Sequence, residues 1–170
     1  RVVYLNTFSK TIAPSIRISY MILPPKLLER YREKLGFYAC TVSGFEQYTL
    51  AKFLEQGYFE RHLGRMRNRY RQKRDQVITA FLQGPLAGRV KITGPAAGLH
   101  FLAELQTSLS DDVLQHRAAE KGLRLAVLSD YYHDKKGARQ HTLVVNYSGL
   151  NLQHLPRALE YLADIIKEGS

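Results

Sequence analysis

Tyr4-Leu5-Asn6-Thr7-Phe8-Ser9-Lys10-Thr11-Ile12-Ala13-Pro14-Ser15-Ile16-Arg17-Ile18-Ser19-Tyr20 decides the reading of this chain. It links two apolar runs, residues 2–5 and 18–23, which have the composition of strands, and the second is stopped by Pro24-Pro25. The connection is rich in hydroxyls and holds one lysine, one proline and one arginine. A strand therefore delivers Thr7, Ser9 and Lys10 to a loop, and Arg17 follows seven residues after the lysine.

Outward from that segment, helices and strands alternate. Residues 27–35 read as a short helix. Ser43-Gly44-Phe45-Glu46 has the form of a capping box, so a second helix should start there, run to Gln56 and stop at Gly57. A long basic helix is expected from about Tyr58 to Leu82, before Gly84-Pro85. Beyond Arg89 come strand patterns at 90–92 and 99–105, with a turn across Gly94-Pro95-Ala96-Ala97-Gly98 that lacks the ending of a phosphate loop. Ser110 can cap a helix over 111–121, with acids in its first turn and Gly122 at its end. Strands at 123–128 and 142–147 follow, and Leu155, Leu159, Leu162 and Ile166 stripe a final helix. The class is α/β or α+β, with a composition boundary near Gly84.

At 170 residues and 45% hydrophobic, the chain can bury a core of one domain or slightly more. No apolar run nears the roughly 20 residues of a membrane helix, and no leader opens the chain. Cys40 has no internal disulfide partner, so a cytoplasmic setting is the expectation. Arg1 in place of Met, directly ahead of a strand, suggests a fragment. The histidines 62, 100, 116, 133, 141 and 154 show no metal-ligand spacing.

The charge is +10, from 25 Lys and Arg against 15 Asp and Glu. Much of it is local: Arg61, Arg65, Arg67, Arg69, Arg71, Lys73 and Arg74 fall within fourteen positions, interleaved with Leu63, Met66, Tyr70 and Val77 at helical steps. The solvated face of an amphipathic helix accounts for this pattern, with phosphate or nucleic-acid contact the alternative. No zinc-finger, RNA-binding or helix-turn-helix signature accompanies it.

The chemistry lies at the start. A lysine at a strand-loop junction, beside hydroxyls and an arginine, suits a Schiff base with an aldehyde cofactor whose phosphate is held by Thr7, Ser9 and Arg17. Arginine fits phosphate through two parallel charge-assisted hydrogen bonds. The competing reading, a solvated lysine with no role, stays open on spacing alone.

The opening segment resembles the stretch around the pyridoxal phosphate lysine of fold type I aminotransferases. The likeness continues through Gln56-Gly57-Tyr58-Phe59-Glu60-Arg61-His62-Leu63-Gly64-Arg65-Met66-Arg67, Tyr70-Arg71, Ala97-Gly98-Leu99-His100, Leu128-Ser129-Asp130-Tyr131-Tyr132 and Asn146-Tyr147-Ser148-Gly149-Leu150. That ensemble resembles the aminotransferase-like half of MocR/GabR-type regulators in the GntR family. The resemblance implies an α/β fold: the end of a large pyridoxal 5'-phosphate domain at 1–57, a connecting helix at 58–84 and a small α+β domain at 85–170. It implies that Lys10 carries the Schiff base and that Thr7, Ser9 and Arg17 hold the phosphate, in a site left incomplete because the aspartate for the pyridine nitrogen and the stacking aromatic lie upstream. It further implies a homodimer, a winged helix-turn-helix upstream for DNA, and a small amine or amino-acid effector sensed through a Lys10 aldimine.

One departure bears on activity. The family's strand arginine for a substrate carboxylate is matched here by Val144, unless Arg139 or a residue outside this chain takes its place. Tyr131-Tyr132-His133 beside Asp134 reads as a surface loop, with a pocket lining as the alternative. Three functions compete: the effector module of a pyridoxal-phosphate-dependent regulator, a class I aminotransferase acting on a 2-oxo acid, and a structural or nucleic-acid-binding fragment without cofactor.

Overall fold

The computed structural model describes residues 2–94 and 98–167, so the turn expected across 94–98 lies partly outside the described residues. The chain forms two compact units, Arg1–Arg67 and Asn68–Ser170.

In the first unit, strands β1 (Tyr4–Thr7) and β2 (Ser19–Ile22) pair antiparallel, with Tyr4 opposite Ile22 and Thr7 opposite Ser19. A short 3₁₀ turn, Phe8–Lys10, follows β1 directly. Helix α1 (Pro25–Leu35) starts two residues earlier than its apolar pattern, because Pro25 sits in the first turn, where its fixed φ suits the helix and its missing N–H costs nothing. Helix α2 (Gly44–Glu55) opens at the expected cap: Ser43 Oγ accepts from Glu46 N at 3.3 Å. The glutamate does not reach back to the backbone as in a full capping box; its carboxylate accepts the Ser43 hydroxyl instead, at 3.1 Å. Gly57, at φ 67°, takes the left-handed conformation that ends α2 and admits helix α3 (Tyr58–Gln83) at once.

The second unit holds the core. Strands β3 (Val90–Thr93), β4 (His100–Leu105) and β5 (Thr142–Asn146) form an antiparallel sheet in that order. Val90 stands opposite Leu105, and Phe101 opposite Val145. Alternation along β4 buries Phe101, Ala103 and Leu105, and these join Val77 and Phe81 of α3 in one cluster. Leu114 and Ala118 of helix α4 (Asp111–Glu120) belong to it, as do Leu159, Leu162 and Ile166 of helix α5 (Leu155–Lys167). Phe101 meets Phe81 edge-on at 5.9 Å and lies parallel to Tyr147 at 6.3 Å. Each such buried side chain contributes about 1.5 to 3 kcal/mol relative to exposure.

One expected strand does not form. Across 123–128 only Val127 pairs, through a single bridge to Leu143, while Val144 N donates to Ala126 O at 2.8 Å. The segment leaves the sheet because it turns at once into a 3₁₀ turn, Leu128–Tyr131, whose Ser129 is buried against Asp111 of α4. No helix among the described residues is long and apolar enough to cross a membrane.

Candidate cofactor-binding site

The loop after β1 is braced by its own hydroxyls. Thr7 Oγ1 caps the 3₁₀ turn by accepting from Ser9 N at 3.2 Å, and it donates to Ile18 O at 3.2 Å. Ser9 Oγ donates to Ile16 O. Phe8 N bonds Ile18 O at 2.9 Å and Ile12 N bonds Phe8 O at 2.8 Å, so both ends of the loop close on the buried Ile18. Lys10, the last residue of the turn, is thereby left exposed.

Lys10 lines an open groove of about 660 Å³ with Leu5, Asn6, Thr7, Ser19, Tyr20 and Met21. The side chain of Asn6 is fixed there, donating to Tyr4 Oη at 2.8 Å and accepting from Thr7 N at 2.7 Å. Of the four expected site residues, the groove brings together Thr7 and Lys10. Ser9 and Arg17 are not among its lining residues: Ser9 is turned into the loop, and Arg17 is exposed.

These residues fit a phosphorylated aldehyde in kind. The set offers one primary amine and one exposed guanidinium, the partners such a group needs. The hydroxyls fit less directly, since the protons of Thr7 and Ser9 already go to backbone carbonyls. To donate to a phosphate, each must rotate away from its carbonyl.

On the second unit, Val144 stands opposite Leu102 in the β4–β5 ladder, an aliphatic pair that offers a carboxylate no donor. Arg139 is occupied, its Nη2 lying 2.7 Å from Glu104 Oε2. Tyr131 and Tyr132 are exposed on their loop. Along α3, Arg65, Arg67, Arg69 and Arg71 are exposed, while Arg74 pairs with its neighbour Asp75 at 2.7 Å.

One group of residues was invisible in the sequence. Asp111, Ser129 and the backbone N–H of His141 meet through the Asp111 carboxylate, although 18 and 30 residues of chain separate the partners. The single available hint was the pair of acids in the first turn of α4.

Comparison with known proteins agrees with this architecture. The uncharacterized HTH-type transcriptional regulator YhdI of Bacillus subtilis is 34% identical over 162 residues, covering 95% of this chain and 34% of the regulator. The probable rhizopine catabolism regulatory protein MocR of Rhizobium meliloti is 32% identical, covering 89% of this chain and 30% of that protein. Among solved structures, the kynurenine aminotransferase of Pyrococcus horikoshii superposes with a TM-score of 0.76 at 28% identity, over 99% of this chain and 41% of that one. No family model matches the chain.

The fold is therefore that of the C-terminal part of fold type I aminotransferases. Within that class it fits the aminotransferase-like C-terminal part of a MocR-type regulator. It spans about a third of the length of the regulators it matches.

Proposed function

We propose that the parent protein is a pyridoxal-phosphate-dependent transcriptional regulator of the GntR family, and that this chain supplies the Lys10 side of its effector-sensing site. The observation that carries the reading is the braced loop: Thr7 and Ser9 close it on Ile18 and Ile16, which leaves Lys10 presented in the groove. The structure of the Pyrococcus aminotransferase was solved with PMP, the amine form of the same cofactor, which supports this assignment.

When bound, the cofactor supplies an electrophilic aldehyde carbon. Lys10 must present an unprotonated amine to it. Arg17 holds the phosphate with its planar fork, and Thr7 and Ser9 add donors by rotating their hydroxyls. On this reading residues 1–57 end the large domain, 58–84 connect, and 85–170 form the small domain. The parent is a cytoplasmic homodimer that contacts DNA through an upstream winged helix domain.

The effector is a small amine or amino acid. Exchange of one amine for another at the cofactor needs only Lys10 and a reachable carbon, whereas efficient amino transfer also needs the substrate held at a second point. Val144 provides no such anchor and Arg139 is paired with Glu104, which favours sensing over turnover. The second reading, a class I aminotransferase acting on a 2-oxo acid, draws on the likeness to the Pyrococcus enzyme.

The test uses the full-length parent, assayed for binding to its own upstream DNA and, with 2-oxoglutarate and common amino acids, for amino transfer. A DNA shift with slow or absent transfer is expected. Robust transfer from glutamate or aspartate without DNA binding would favour the aminotransferase.

A further inference from the structure

Asp111 is the first residue of α4 and is 3% exposed, as is Ser129. Its two oxygens divide between two distant segments: Oδ2 accepts the Ser129 hydroxyl at 2.5 Å, and Oδ1 accepts the His141 N–H at 2.8 Å. Ser129 and His141 immediately flank residues 130–140. One buried carboxylate thus ties together both ends of an eleven-residue loop.

His141 is held in an unusual way. At φ 57° it is the one non-glycine residue with positive φ among the described residues. That conformation lets its N–H face Asp111 while its carbonyl accepts from Leu105 N at 2.7 Å. A β-carbon in the left-handed region is strained and persists only where its surroundings impose it. The loop itself is tied down by polar contacts: Asp130 meets Lys135 at 3.5 Å and accepts from Gln115 Nε2 at 2.9 Å, and Lys136 N donates to Asp134 Oδ1 at 2.8 Å. Its apolar hold is slight, since Ala138 is buried while Tyr131 and Tyr132 are exposed.

We infer that Asp111 is the clasp of a strap, residues 130–140, that opens as a unit while the β3–β4–β5 core stays folded. Strap and core are held by different forces. The core rests on buried apolar surface, and the strap rests on polar contacts: the exposed Arg139–Glu104 and Gln115–Asp130 pairs and, at its two ends, the hydrogen bonds to the buried Asp111 carboxylate, which also hold His141 in its strained conformation. Segments with few buried apolar contacts open at a lower free energy than the core. Opening exposes the backbone around Lys135, Lys136 and Arg139 and carries Tyr131 and Tyr132 with it. The inference concerns only the second unit and stands independently of the regulator reading.

The experiment is limited trypsin digestion of the full-length parent under native conditions, with peptide-resolved hydrogen exchange alongside. In the wild type, peptides covering 130–140 should exchange at least about tenfold faster than those covering β4 and β5. Asp111→Ala should speed cleavage at Lys135, Lys136 and Arg139 at least about tenfold, since two hydrogen bonds to a charged group are lost. Ser129→Ala, a milder change, should speed it several-fold. His141→Gly should act in the opposite direction and slow cleavage, because glycine adopts positive φ without strain. Should Asp111→Ala fail to fold, the opposite signs of the Ser129 and His141 variants still test the clasp. Equal exchange of strap and core, or cleavage unchanged in both Ser129→Ala and His141→Gly, would overturn it.

Discussion

The two compact units differ in what holds them. In Asn68–Ser170, a sheet face, the end of α3, α4 and α5 converge on one apolar core. In Arg1–Arg67, Ile18 is the buried hydrophobic residue among those described, while Leu5, Ile22, Phe37, Phe45 and Tyr48 are exposed. A two-stranded sheet with so little covered surface is marginal alone. The proposed Lys10 site therefore sits on the part of the chain that leaves most of its apolar surface without a cover, and the better packed part carries no proposed cofactor ligand. The chain spans about a third of the length of the regulators it matches.

Substitutions sharpen that contrast. Phe101→Ala, at the fully buried centre of the second unit, should cost about 3 to 5 kcal/mol in denaturant unfolding. Ile22→Ala, at a 58% exposed position, should change the stability of this chain by no more than about 0.5 kcal/mol. In the full-length parent the same Ile22→Ala change should cost about 2 to 5 kcal/mol if further elements cover β1 and β2. A small cost there would mean that the exposed surface of the first unit is its natural state.

A smaller effect tests the site itself. Arg17→Lys keeps the charge and loses the planar fork, so cofactor binding to the apo parent should weaken by about 1 to 3 kcal/mol, measured by titration. Unchanged affinity would make Arg17 a surface residue and return the first unit to a purely structural role.

What the sequence revealed follows the same division. Local signals were legible: the Ser43 cap, the stop at Gly57, the long basic α3 and the stripe of α5 all depend on residues within a few positions of one another. The lysine loop was legible as a composition, but the use of the Thr7 and Ser9 hydroxyls on Ile18 and Ile16 was not, because the spacing of hydroxyls does not say which acceptor they meet. The expected strand at 123–128 failed for a tertiary reason. Its β-forming run is overridden where Ser129 is drawn to Asp111, eighteen residues earlier, and long-range polar contacts of that kind leave no periodic trace.

The central claim is that Lys10 is the residue bound covalently to pyridoxal phosphate in the parent protein. Borohydride reduction of the full-length holoprotein, followed by proteolysis and peptide mapping, tests it directly. The account predicts a phosphopyridoxyl label on the peptide carrying Thr7-Phe8-Ser9-Lys10, at Lys10 and at no other lysine. A label on a different lysine, or no label after reduction, would contradict it.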